Sequence, residues 1–158
     1  MSKEQVVLLF KKMKPVMDER IIWFAYYQDE PVAIFINLPD LNQWFKELDG
    51  KFGLLQKLRF LWLKQFRPNK KFNGLVFGVV PEWQGKGVDS YIIGESAKVI
   101  QSNQVPYSEY EMQWIGDFNP KMINIAEGLG EVFRTRNLTT YRFIFDRTKT
   151  FHRHPMLT

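Results

Sequence analysis

Cysteine is absent from the 158 residues, and histidine occurs only as His152 and His154. Without cysteine there are no disulfides and no thiolate metal sites, which points to a reducing compartment. Two imidazoles in the C-terminal FHRHP stretch fall short of the three or four ligands that a zinc ion takes, so no metal is expected. Long apolar runs are missing too. No stretch approaches the roughly eighteen residues of a membrane span, and MSKEQVVLLFKKMKP returns to lysine straight after Phe10, unlike a signal peptide. The expectation is a cytoplasmic protein without a membrane span. Acidic residues are lacking from Lys51 to Lys71, where seven basic ones stand. Such a stripe favours an anionic partner, whether a phosphate-bearing cofactor, a nucleic acid or a membrane surface.

What is present is apolar bulk: 45% of the residues are hydrophobic and 16% aromatic, enough for one domain with a sizeable core. Residues 2–14 place Val6, Val7, Phe10 and Met13 at helical spacing, and Pro15 ends the pattern. IIWFAYYQ and PVAIFINL, separated by Asp29-Glu30-Pro31, read as two strands of a hairpin. Residues 40–71 read as a basic helical insert broken near Gly50–Gly53. In its second helix Leu54, Leu58, Leu61, Trp62 and Gln65 share one side, which is expected to pack on the protein's own sheet.

FNGLVFGVVP reads as a continuous apolar strand, suited to a sheet covered on both faces. Residues 88–103 read as a helix, and YSEYEMQWI as a strand with Tyr110, Met112 and Trp114 opposite Glu109, Glu111 and Gln113. Asn119-Pro120 opens a helix that runs to about Gly128. GEVFRTRNLTTYRFIFDR is expected to form a closing hairpin that turns near Asn137, and residues 147–158 a tail. The order predicts an α/β fold whose 72–115 crossover joins near-parallel strands.

Between the apolar strand and the third helix stands Val79-Val80-Pro81-Glu82-Trp83-Gln84-Gly85-Lys86-Gly87-Val88. It is neither a Walker loop nor a dinucleotide fingerprint, since Ser90 stands where the third glycine or alanine would be. Glycines at a helix N-terminus nonetheless let amide N–H groups converge where the dipole favours an anion. The run resembles the acyl-CoA signature of the GNAT superfamily of N-acetyltransferases, in which a strand leads through Gln/Arg-x-x-Gly-x-Gly/Ala into a helix. Asn119, opening a helix that closes near Leu129-Gly130, resembles that family's second signature. Together they cover about residues 20–146.

The resemblance implies a mixed, mostly antiparallel twisted sheet of about six strands, flanked by helices on both faces. It implies acetyl-CoA as acyl donor, a primary amine as acceptor and direct attack of the amine on the thioester. Carried over, it puts the pantetheine arm against the backbone near Val79 and the pyrophosphate on the amides of Gln84, Gly85, Lys86, Gly87 and Val88; Asn119 would bond the pantetheine. The family's first strand and one helix have no counterpart here, which suggests the later portion of a larger protein. Asp89 takes a position usually Gly or Ala, and Ala126 one usually Tyr. An alternative is thus a degenerate module of the same fold that binds CoA or a protein partner without turnover. Glu111, then Glu109, are the candidate bases, with Tyr141 or Tyr110 replacing the missing acid. Their bland counterparts are solvated carboxylates at a strand end and core tyrosines with wet hydroxyls. Nucleic acid is not the expected partner, and a homodimer is compatible with the sequence.

Overall fold

The structure is a computed structural model that describes residues 2–153 and 155–157. The chain divides into two compact units, the first running to Gln113 and the second starting at Trp114.

The first unit opens with α1, Lys3–Met13, held by a reciprocal cap. Ser2 Oγ accepts from Gln5 N, and the Gln5 side chain accepts from Ser2 N at 2.9 Å. Of the predicted apolar side, Val6, Phe10 and Met13 are half-buried while Val7 is exposed. Strands β1, Ile22–Tyr27, and β2, Glu30–Pro39, pair antiparallel. Their turn is Gln28-Asp29, one residue earlier than expected. Both residues have positive φ, the backbone that matches the twist of a two-residue hairpin.

Asp40 Oδ1 then accepts from Asn42 N, starting α2, Asn42–Phe45, and a 3-10 turn to Leu48. After the reversal at Asp49 and Gly50 comes α3, Leu54–Phe66. The two helices enclose their own small core of Trp44, Leu48 and Leu63, with Leu41 and Phe60 packed against it. Trp44 Nε1 reaches across it to the Arg67 carbonyl at 3.0 Å. This corrects the expectation for α3. It buries Leu63 against α2 and leaves Leu54, Leu58, Leu61 and Trp62 in solvent, because Trp44 and Leu48 supply a closer apolar partner than the sheet does.

Strand β3, Lys71–Val79, pairs antiparallel with β2. After α4, Val88–Ile100, the chain returns as β4, Glu109–Met112, parallel to β3 as the crossover length requires. The sheet order is β1-β2-β3-β4. Helix α4 lies on it, with Ile92 packed among Ala33 and Phe35 of β2 and Phe77 of β3. A second cluster, Ile21, Phe72, Val105 and Tyr107, fills the end of the sheet where α4 finishes. No helix among the described residues is long and apolar enough to cross a membrane.

The second unit contains α5, Pro120–Glu127, capped by Asn119 as the sequence suggests. The closing hairpin is not formed. Residues 132–144 carry no regular element, and Tyr141 and Phe145 are 90% exposed. Among the described residues the sheet therefore has four strands rather than six. Two strands without a sheet or helix to cover them are marginal in water, and residues this exposed have no apolar burial to offset the cost of ordering them.

Candidate functional site

Three features converge at the C-terminal half of β3. The first is a bulge: β2 partners Ile36 and Asn37 face Val76 and Gly74, so Leu75 is an extra residue on β3. The second is divergence from β4, which pairs with Lys71–Gly74 alone and has no β3 partner beyond Met112 except the Gln113 N bond to Gly74 O. Leu75 and Val76 are exposed in consequence, 42% and 47%, so the strand is not covered along its whole length as its apolar run suggested. The third is the direction of the backbone. Val80 N donates to Val32 O toward β2, and alternation turns the peptide groups of Phe77 and Val79 to the opposite edge.

That strand leads through a 3-10 turn, Pro81–Trp83, into Gln84-Gly85-Lys86-Gly87. Gly85 has φ +69° and Gly87 φ +79°, both left-handed, and a Cβ at either would meet nothing within 4 Å. Gly87 O accepts the first helical bond, from Tyr91 N at 2.9 Å. Among the described residues, the amides from Gly85 to Ser90 donate to no protein acceptor. They are the orphan donors of a helix N-terminus, widened into a concave row by the two left-handed glycines. Lys86 Nζ sits 5.0 Å from the centre of the Trp83 ring, which itself leans on Tyr27 at 4.6 Å, so its charge is held beside the turn. Gln84 turns away from it: its Nε2 donates to Val79 O at 3.1 Å, tying turn to strand. Asp89 stands in the first turn of α4, half-buried.

The other candidates divide. Glu111 lies opposite Asn73, and its carboxylate is paired with the ammonium of Lys71 on the neighbouring strand. Lys71 was not singled out from sequence, because its partner is 40 residues away. Glu109 is exposed at the start of β4. From Asn73 to Val79 is six residues of β3, ~20 Å at strand rise, so these carboxylates stand toward the far end of the strand from the turn. Tyr110 is a core residue: it stacks on Phe72 at 4.7 Å and covers Gly74, where any Cβ would strike its ring, and burial raises its hydroxyl above the usual phenol range. Tyr141 is 90% exposed in the irregular part of the second unit. Asn119 caps α5, its Oδ1 accepting from Met122 N at 3.2 Å. Of the two histidines, His152 is exposed and His154 lies outside the described residues. No group of three metal-ligating side chains occurs among the described residues. A cleft of about 320 Å³ in the second unit is lined by Asp117, Phe118, Arg153, Pro155 and Met156, none of which the sequence singled out.

No family profile matches the chain. Over 126 residues, 77% of the chain, it is 27% identical to a bacterial ceramide synthase of Caulobacter vibrioides. The matched stretch is 32% of that protein, so the chain spans about a third of the length of this relative.

Proposed function

We propose that this protein is an acyl-CoA-dependent N-acyltransferase of the GNAT type. The observation that carries the reading is the row of unpartnered amides from Gly85 to Ser90, standing at the end of a bulged strand whose outer edge is open. An anionic pyrophosphate satisfies those donors and meets the helix dipole. A pantetheine arm leaving it can follow the Phe77 and Val79 edge of β3 back toward the bulge at Leu75. On this reading the thioester, not the phosphates, lies toward the start of β3, where Glu111 is ~20 Å and Glu109 ~26 Å of strand from Val79.

The reaction is direct transfer. The acceptor amine attacks the thioester carbonyl, the new C–N bond forms as the C–S bond breaks, the amine proton passes to Glu111 or Glu109 through water, and the thiolate leaves to be protonated from solvent. Acetyl is the acyl group that the family resemblance implies. The ceramide synthase relative supports a longer chain, because a ceramide is the amide of a long-chain amino alcohol with a fatty acid. A second reading, CoA binding without turnover, is favoured by Asp89 beside the amide row, Ala126 at the usual tyrosine position, and the Lys71 ammonium on Glu111.

Calorimetric titration of the purified chain with CoA, acetyl-CoA and a long-chain acyl-CoA tests the cradle. Micromolar binding of all three is expected. Gly87→Val forces a β-branched residue into a left-handed backbone at about 1–2 kcal/mol and puts methyl groups where phosphate oxygens approach. Affinity should fall at least about tenfold, some 1.4 kcal/mol, with circular dichroism unchanged. Equal affinity in the variant would reduce the turn to a corner between strand and helix. Amine-dependent release of CoA separates the enzyme from the silent binder.

A further inference from the structure

Helix α3 has its apolar side facing outward. Leu54, Leu55, Leu58, Leu61, Trp62 and Phe66 are 58–77% exposed, and at 100° per residue they occupy one arc of the helix with Gln65 the one polar residue among them. The opposite arc, Phe60 and Leu63, is the one spent on α2. The exposed arc is convex and about 20 Å long at helical rise, and the exposed Phe52 before α3 lies beside it, against Phe45 and the Lys57 ammonium. Its borders are basic without exception: Lys57 and Lys64 on one side and Arg59 on the other, in a segment that contains no acid from Lys51 to Lys71. Glu47 of the 3-10 turn pairs with Arg59 and Arg67, yet both guanidinium groups stay half-exposed. Lys64 is tied to the Pro15 carbonyl, which fixes this border against the segment after α1.

We propose that this face of α3 docks the protein on the surface of an anionic lipid bilayer, with the helix in the plane of the interface, its leucines and Trp62 among the acyl chains and its lysines at the headgroups. An apolar arc between cationic borders is the form such helices take. A second copy fits less well. Two α3 faces meeting about a two-fold axis would bring lysine and arginine against lysine and arginine, with no acid in either helix to answer them. A nucleic acid fits less well again, since the centre of the face offers leucine to phosphate. The inference is independent of the cofactor reading, because no residue of the Gly85–Ser90 row takes part.

The full chain is to be sedimented with vesicles of phosphatidylcholine alone and of an equal mixture with phosphatidylglycerol. Binding to the mixed vesicles, weakened by raised salt and at least about tenfold stronger than to neutral ones, is expected. The double variant Leu58→Glu, Leu61→Glu should lose it with an unchanged melting temperature, since both side chains are in solvent. Lys57→Glu should lose the preference for anionic lipid. Quenching of tryptophan emission by bromine-labelled acyl chains should be present in the parent and lost in Trp62→Phe. Absence of vesicle binding, equal binding to neutral lipid, or undiminished binding by the double variant would each overturn the proposal. So would a parent dimer that the double variant converts to monomer without any vesicle binding.

Discussion

Asp18 shows how a single carboxyl can organise a corner of the molecule. It accepts from Arg20 through Nε at 2.9 Å and Nη2 at 2.7 Å, and from the Tyr107 hydroxyl at 2.8 Å, while Arg20 Nη1 reaches the Gln104 carbonyl. Burial alone would raise its pKa, but the hydrogen bonds from Arg20 and Tyr107 outweigh burial and leave it below the ordinary carboxylate value. A depressed carboxyl contributes stability above its unfolded pKa of about 3.9 and loses it as the pH falls through the folded value. Asp18→Asn should therefore cost about 1–2 kcal/mol near neutral pH, less than a fully buried ion pair because Arg20 is half exposed. The gap in melting temperature between parent and variant should close below about pH 4. A gap that persists in acid would mean that shape rather than charge holds the corner. None of this was legible in the sequence, since Asp18 and Tyr107 are 89 residues apart. Glu111 is the same case at the candidate site: its strand and face were readable from alternation, whereas the Lys71 that neutralises it was not.

Amphipathic spacing in α3 identified a helix with one apolar side, and that much holds. It could not say which side would be covered, because Leu63 and Phe60 make nearly as good a stripe as Leu54, Leu58 and Leu61. The choice fell to Trp44 and Leu48 of the neighbouring segment, which approach from the Leu63 side. Leu63→Ala should accordingly cost about 2–4 kcal/mol of the local stability, read as faster hydrogen exchange in α2 and α3 with α4 amides unchanged. Equal acceleration in α4 would show that the insert and the sheet unfold as one unit. The turn before α4 lies at the other extreme. Gly85 and Gly87 were read from sequence as positions where amide N–H groups converge, and the left-handed backbone that does this is one glycine takes freely. The expected closing hairpin failed for a non-local reason: β-branched and aromatic content marks a segment that fits a sheet edge, but it supplies no edge to fit.

Over the whole molecule, a formal charge of +5 and an isoelectric point near 9.4 set a repulsion between copies against the leucines exposed on α3 and the aromatics exposed at Phe143 and Phe145. Net charge of one sign opposes their association. Hydrodynamic radius at low salt should stay constant near neutral pH and grow as the pH approaches 9.4, where the net charge vanishes. Light scattering across that range checks it. A radius that never changes would mean that these surfaces do not adhere to one another, and one that is large at neutral pH would mean that charge does not control them.

What the sequence determined by itself is what depends on neighbours within a few residues. The hairpin of β1 and β2, the capped starts of α1 and α5, the glycine turn into α4 and the parallel return to β4 all follow from caps, turn residues, periodicity and crossover length. What the tertiary structure decided depends on which distant surfaces meet. It paired Lys71 with Glu111 and Asp18 with Tyr107, stacked the half-buried Tyr110 on Phe72, gave β3 a bulge against β2 and ended its pairing with β4 at Gly74. It also turned the leucines of α3 to the outside. Local pattern names the face of an element that is able to be buried; only the positions of the other elements determine whether anything arrives to bury it.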